Sequence, residues 1–434
     1  MTLPLSTEVC MVSRDLYLVQ LKDYMWDGQV KVITGIRRCG ISILLFDLFY
    51  HFLLETGVPQ DHIIRFELDQ RKDAKYRNPI LLADMVSSRL QGEKESFYLF
   101  IDEVQLAYPV EDPDNPGHAI SIYDMLNELK GYPNLDVYVT GSNSKMLSSD
   151  IATQFRGRAS TVHVWPLSFA EYHQAIGGER RDNFDHYLIY GGMPYLLNLK
   201  TDRQQQAYLD SLFREVYIKD IVERHGIERQ DVLEGMLDFL GSSVSSLTNP
   251  TNITNSLNSM RHANISSNTV SAYLGYMKEA FLINEAKRYD IKGKSYFGYP
   301  NKYYFTDVGL RNARLSFRQI DPGHMMENLV YIELLRRGYA VDVGVVTDRR
   351  RGQNKQKEID FVVNSGNGRM YIQSAWQIPE GRKETAEEDS LQLTGDFFRK
   401  IIIRSDIPGI MTDDNGIIHC NIIDFLLRED LVVV

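Results

Sequence analysis

At 434 residues the chain is long enough for two or three domains, each burying its own core. With 43% hydrophobic and 24% charged residues it excludes a disordered or fibrous protein, and a net charge of −10 argues against wholesale coating of nucleic acid, though not against a local basic module. Three cysteines without metal-ligand spacing (Cys10, Cys39, Cys420) exclude a disulfide framework, and the absence of an apolar signal core or a bilayer-length run leads to the expectation of a cytoplasmic protein with no membrane partner.

The first 165 residues alternate apolar strands with helical patterns. Strands are predicted at Val30–Thr34, Ile63–Leu68, Phe97–Ile101, Leu135–Thr140 and Thr161–Val164, with amphipathic helices such as Ile43–Glu55 and Ile80–Leu90 between them. Such repetition predicts an α/β fold with a parallel sheet, whose ligands bind at the C-terminal strand ends. The first strand runs into Thr34-Gly35-Ile36-Arg37-Arg38-Cys39-Gly40-Ile41-Ser42-Ile43. This is the layout of a P-loop, Gly-x-x-x-x-Gly-Lys-Ser/Thr, with Ile41 in place of lysine. In such a loop the backbone N–H groups cradle ATP phosphates, the lysine neutralises their β/γ oxygens and the hydroxyl holds Mg²⁺.

Three later elements bear on the same chemistry. Phe97–Ile101 ends in Asp102-Glu103, the form of a Walker B strand, with Asp102 placed to hold Mg²⁺ and Glu103 to polarise the attacking water. Leu135–Thr140 ends in Gly141-Ser142-Asn143-Ser144; in an ATPase core this strand lies between the other two, where Ser142 or Asn143 can orient water near a γ-phosphate. Phe155-Arg156-Gly157-Arg158 offers two forked, permanently charged side chains suited to a transition-state phosphate. Singly, each has a plain structural reading: an acidic turn, a helix N-cap, surface ion pairs. In this order they point to an ATPase core, and Pro109–Gly117 is read as a solvated loop within it.

The chain resembles the bacterial and archaeal AAA-type ATPases, close to the archaeal-ATPase group, that carry a C-terminal domain of unknown function. The resemblance rests on the motifs above and on Pro166-Leu167-Ser168-Phe169-Ala170-Glu171-Tyr172, Tyr190-Gly191-Gly192-Met193-Pro194, Lys219-Asp220-Ile221 and Glu358-Ile359-Asp360-Phe361, and covers nearly the whole chain. It implies a lysine where Ile41 stands, arginines at 37 and 38 beside it, ATP/ADP as ligands, and a homo-oligomer in which Arg156 or Arg158 acts across subunits. Losing the lysine removes several kcal/mol of Coulomb energy, more in the transition state than in the ground state. Ile41 is also expected to lay an apolar side chain near the phosphates. Ser42, Asp102, Glu103 and the arginines persist, which fits a single replacement better than a long-decayed site.

Residues 166–235 read as a helical lid and 236–315 as a winged helix. In the latter, Asn252–Met260 and a helix capped by Ser266 form the turn pair, with Val270, Tyr273, Leu274 and Met277 as a core stripe. A hairpin over Ala286–Phe305 carries Lys287, Arg288, Lys292, Lys294 and Lys302 among Tyr289, Tyr296, Phe297 and Tyr299, a basic wing suited to the phosphates of double-stranded DNA. The final unit, 316–434, resembles a restriction-endonuclease-like fold. Glu327 on a helix and Asp360 on a strand match its first two acids, but Gln373 takes the place of the third acid and Ala375 that of the lysine. The basic segment Arg349–Lys357 precedes the Asp360 strand and reads as a connection between strands.

The favoured reading is an AAA-type ATP-binding protein whose hydrolysis is abolished or strongly reduced at Ile41, acting on DNA or in a DNA-linked complex. One alternative is a DNA-binding regulatory or defence protein with nucleotide as a switch. Another is a metal-dependent nuclease.

Overall fold

The computed structural model describes residues 12–141, 159–261, 264–350, 354–366, 368–378 and 386–431. The chain divides into two compact units. One comprises residues 11–166 with 279–281, and the other takes in Leu167–Lys278 and Leu282–Val434.

The first unit is built on a five-stranded sheet: β1 (Val30–Gly35), β2 (Ile63–Glu67), β3 (Phe97–Asp102), β4 (Leu135–Gly141) and β5 (Ala159–Val164). The order is β2-β3-β4-β1-β5 with all neighbours parallel. β1, β3 and β4 are buried along their whole length, which is why they read as mostly apolar runs, interrupted by Lys31 in β1 and Asp136 in β4, rather than as alternating ones. On one face Val32, Leu99, Ile101, Val137 and Val139 pack with Leu82 and Val86 of the helix Pro79–Leu90 and with Leu126 and Leu129 of Ile122–Leu129. On the other, Phe49 lies 4.9 Å from Tyr138, which meets Phe100 edge-on at 5.6 Å. Phe49 belongs to the helical stretch that follows the loop: Ile41–Ile43, a π-helical Leu44–Phe49, then Tyr50–Glu55. One polar group breaks this apolar layer. The fully buried ammonium of Lys31 is paired with Asp136 and lies 2.8 Å from Asp27, and Tyr138 donates to Asp136 at 2.8 Å. Within the segment read as a loop, Val110–Glu111 pairs antiparallel with Ala119–Ile120.

The second unit begins with helices Phe169–Ile176 and Arg180–Tyr190, and the latter explains the Tyr190-Gly191-Gly192-Met193-Pro194 motif. The helix ends at Gly191, whose φ of 73° lies in the left-handed region. A Cβ there would stand 2.2 Å from Asp307 Oδ1, and one on Gly192 would stand 2.1 Å from the Leu167 carbonyl oxygen. Gly309 approaches the Tyr190 carbonyl just as closely, at 1.8 Å for an added Cβ. The bare backbone lets Gly192 N donate to the Asp307 carboxylate at 2.7 Å, while Leu310 N donates to its other oxygen at 3.1 Å.

Helices Gln230–Ser242, Pro250–Arg261 and Ser267–Glu279 follow, the last with Val270, Tyr273, Leu274 and Met277 buried and Thr269 N donating to Ser266 Oγ at 3.2 Å. The strands after them are β6 (Ile283–Ala286), β7 (Arg288–Asp290), β8 (Ser295–Tyr296), β9 (Lys302–Phe305), β10 (Ala340–Asp348), β11 (Lys355–Ser365), β12 (Gly368–Ala375), β13 (Arg399–Arg404), β14 (Ile410–Thr412) and β15 (Ile418–Asn421). β6 and β9 form an antiparallel ladder of their own. The other eight make one mixed sheet in the order β8-β7-β10-β11-β12-β13-β15-β14. The hairpin expected over Ala286–Phe305 is therefore split: its outer strands pair with each other, and its middle joins the edge of the larger sheet alongside β10. Helix Pro322–Arg336 packs on β10 and β12.

Burial pushes the Asp307 carboxyl up from its ordinary 3.8 to about 6, against the opposing effect of its backbone N–H bonds. The native state then holds a proton that the unfolded chain has released. Its stabilisation is complete below about pH 4 and is lost as pH rises through 6, a swing of about 3 kcal/mol for this group. Asp307→Asn should flatten the pH 4 to 7 dependence of urea unfolding relative to the parent chain. Parallel curves for the two proteins would show that Asp307 is not proton-linked to folding.

Candidate functional site

The segment after β1 turns sharply because two residues take left-handed backbone, Arg38 at φ 68° and Gly40 at φ 97°. Gly35 is required sterically, since a Cβ there would lie 2.1 Å from the Val164 carbonyl oxygen and 3.1 Å from Cys39 Sγ. Cys39 donates its thiol to that same carbonyl at 3.3 Å and its N–H to Ile36 O at 3.2 Å. Burial pushes the Cys39 thiol up to about 12, so it is a packing group and not a nucleophile. Ile36 and Cys39 face inward, Arg37 is half-buried, and Arg38, Ser42 and Ile43 are exposed. Gly40 immediately precedes the first helical residue, Ile41, so the loop delivers a helix N-terminus to the C-terminal edge of the sheet. Ile41 itself is 8% exposed. Its side chain is withdrawn into packing.

Asp102 ends β3 and is buried beside this loop, hydrogen-bonded by Thr140 and within the influence of the Ser42 hydroxyl. Its carboxyl is raised by burial, with the two hydroxyls opposing. Thr140, at the end of β4, also accepts from Glu103 N at 3.1 Å. One hydroxyl thus pins both acids. Glu103 has φ 52°, and its carboxylate accepts from the Gln105 amide. Burial and the neighbouring Asp102 raise its pKa, while Gln105 and the Arg37 charge pull it down. The predicted neighbours Gly35, Ser42, Asp102 and Glu103 therefore do converge. A hydroxyl and a carboxylate oxygen side by side fit a hard divalent cation such as Mg²⁺ that keeps several waters. Thr140 was missed as a site residue; its signal was a hydroxyl closing an otherwise apolar strand. Ser142, Asn143, Arg156 and Arg158 lie outside the described residues.

In the second unit a separate polar cluster forms around Lys302. This residue was expected on a solvent-facing basic wing, but it is 3% exposed because β9 is buried on both sides. Its Nζ lies 2.8 Å from Glu327 Oε1, 2.6 Å from Glu358 Oε1 and 3.3 Å from Asp360 Oδ1. Tyr304 donates to Glu327 Oε1 at 2.7 Å, and Ser374 N to Asp360 Oδ2 at 2.9 Å. Burial pulls the ammonium's pKa down, but the three carboxylates outweigh it and raise it overall. Burial likewise pushes the Glu327 carboxyl up. Gln373 is held by Asp360 N, donating to its Oε1 at 2.6 Å, and by its own amide, donating to Ser390 at 2.9 Å. Glu327 and Asp360 thus meet as expected, around a residue that belonged to another reading. The basic segment is also less free than it reads: Lys355 and Lys357 lie in β11, and Arg350 and Lys357 both pair with Asp389.

Residues 27–173 match the family described as an AAA domain, and residues 181–321 match a domain of unknown function (DUF8612). An uncharacterized protein of Haemophilus influenzae is 32% identical over 428 residues, spanning 96% of this chain and 99% of that protein. The chain belongs to the same family as that protein. Its first unit carries an AAA-type P-loop domain on a five-stranded parallel sheet. The uncharacterized protein MJ1544 of Methanocaldococcus jannaschii is 25% identical over 375 residues, covering 82% of this chain and 77% of that one. Among solved structures, AMPPCP-bound DnaA from Aquifex aeolicus matches at 14% identity over 62% of this chain and 88% of its own, with a TM-score of 0.30. The Aeropyrum pernix ORC1 protein in complex with DNA matches at 10% identity over 72% and 94%, with a TM-score of 0.28. Overlaps this low carry no weight for function. Among the described residues, no helix is long and apolar enough to cross a membrane.

If Thr140 positions Asp102, Thr140→Val in an Ile41→Lys background should raise the Mg²⁺ concentration needed for half-maximal ATP hydrolysis about tenfold or more. An unchanged Mg²⁺ titration would assign Thr140 a packing role only.

Proposed function

We propose that this protein is an AAA-type nucleotide-binding protein with negligible turnover in its present form, the defect lying in the missing charge at position 41. The observation that carries this reading is the meeting of three strand ends, where Thr140 bonds both Asp102 and the backbone of Glu103 while the Ser42 hydroxyl of the loop after β1 lies close enough to lower the Asp102 pKa. In a working site the backbone N–H groups from Gly35 to Ser42 would hold ATP phosphates, and Ser42 and Asp102 would hold Mg²⁺, which supplies charge neutralisation when bound. Glu103 would take a proton from the attacking water, and Arg156 or Arg158 would reach the phosphate of a neighbouring subunit. The Arg37 charge lies near enough to Glu103 to lower its pKa. Ile41→Lys should raise ATP hydrolysis about 100-fold or more, because a cation aimed at developing phosphate charge acts chiefly in the transition state. Glu103→Gln in that background should return the rate to the parent level. Equal rates for the parent and Ile41→Lys would sink the proposal.

The C-terminal α/β region is read as a nuclease-like fold without nuclease chemistry: Glu327 and Asp360 meet, but Gln373 is a hydrogen-bonded amide and Ala375 supplies no cation. Duplex DNA as a partner is supported by a narrower set of residues than the sequence offered. Lys287, Lys292 and Lys294 are exposed together with Tyr296 and Tyr299 near the β7–β8 edge, whereas Lys302 is withdrawn. The outer face of helix Ser267–Glu279 exposes Asn268, Ser271 and Ala272, none of them basic. Binding through this edge should weaken steeply between 50 and 200 mM salt, in the manner of about three phosphate contacts, and fall further in Lys287→Ala/Lys292→Ala/Lys294→Ala. Affinity that ignores both salt and the triple substitution would remove DNA from this reading.

A further inference from the structure

Three carboxylates converge on one ammonium in the second unit, and they come from elements far apart in the chain. Glu327 lies on helix Pro322–Arg336, Glu358 and Asp360 lie two apart on β11, and Lys302 lies on β9. We propose that Lys302 is the resident cation of this cluster, its ammonium standing where Glu327, Glu358 and Asp360 would otherwise hold a divalent metal ion, so that the chain itself closes the site to metals.

The donor chemistry supports this. Oxygens of three carboxylates within 2.6 to 3.3 Å of one point are a set that hard divalent cations take, and buried carboxylates are costly unless a cation meets them. Here that cation is covalently part of the chain. Its backbone is held in the β9–β6 ladder, in which Lys302 pairs with Ala286 and Tyr303 with Glu285, and its side chain is buried. Two of the carboxylates are held by further donors: the Tyr304 hydroxyl bonds Glu327, and Ser374 N bonds Asp360. Gln373, a further oxygen donor nearby, has its carbonyl turned to Asp360 N and its amide to Ser390. The Ser374 hydroxyl beside Asp360 is the exception, a buried oxygen left without a hydrogen-bond partner. Glu358, about a third exposed, is the most open of the three carboxylates to solvent. This inference does not depend on the nuclease-like reading, because it rests on the four side chains and not on the ancestry of the fold.

The test uses the full chain, Lys302→Met, and MnCl₂ titrated by calorimetry and electron paramagnetic resonance. Lys302→Met should gain one Mn²⁺ site per chain that the parent lacks, and adding Glu358→Gln should weaken that site at least tenfold. Its melting temperature should fall below the parent's in EDTA and recover when Mn²⁺ or Ca²⁺ is added. A variant that is unfolded in EDTA and folds with either metal supports the proposal equally. A folded variant with no added site, or one that stays unfolded with both metals, overturns it. So does a parent chain whose own Mn²⁺ isotherm loses a site on Glu358→Gln, since the cluster would then be open with Lys302 in place.

Discussion

Strand order decides where chemistry can occur in the first unit. The chain leaves β1, passes over two positions to lay down β2 at the edge, returns through β3, and only then fills the gap with β4. The loop after β1 and the acids after β3 therefore emerge at the same edge, one strand apart, and the end of β4 lies between them. Thr140 occupies that intermediate place, which is why a single hydroxyl can reach both Asp102 and the backbone of Glu103. Ser42 approaches from the other side. Any sequence that puts a glycine-bounded turn after the first strand and an acid after the third will meet itself here, given this crossover. The chemistry that follows depends on a handful of side chains at that meeting point.

Each unit also buries an ammonium among carboxylates, and the two arrangements differ in what they achieve. Lys31 pairs with Asp136 and Asp27 within one sheet and its approach, a local neutralisation on an otherwise aromatic face. Lys302 joins a ladder, a helix and a strand of the large sheet, so it fixes the relative placement of three elements. Buried pairs of this kind are weak contributors to net stability but strong constraints on geometry, since removing one partner strands the other in a medium of low polarity.

Much of the first unit was legible in the sequence. Strands buried on both faces show as mostly apolar runs, and Gly35, Asp102 and Glu103 stand at the C-terminal ends of those runs. Thr140 was harder to see, because a hydroxyl at a strand end reads equally well as a turn former. Lys302 was misread for a physical reason. A lysine among tyrosines near a hairpin has the composition of a wing, and nothing local shows that Glu327, Glu358 and Asp360 will surround it. Its partners lie 25 to 58 positions away. The hairpin was mis-drawn for a related reason, since residues 288–290 pair with β10, about 55 positions further on. The Tyr190-Gly191-Gly192-Met193-Pro194 motif could be recognised but not explained, because the group that its glycines admit is Asp307.

That interlock bears on how the protein is made. Gly192 N finds its acceptor 115 residues downstream, and Gly309 must slide against the Tyr190 carbonyl to bring it there. While the chain is being synthesised, the end of helix Arg180–Tyr190 stays open until residues 307–310 have left the ribosome. The first unit takes only residues 279–281 from the later part of the chain. Assembly is therefore ordered by connectivity: the sheet that carries the phosphate loop can be nearly whole before the helices that follow it in sequence have anything to close upon.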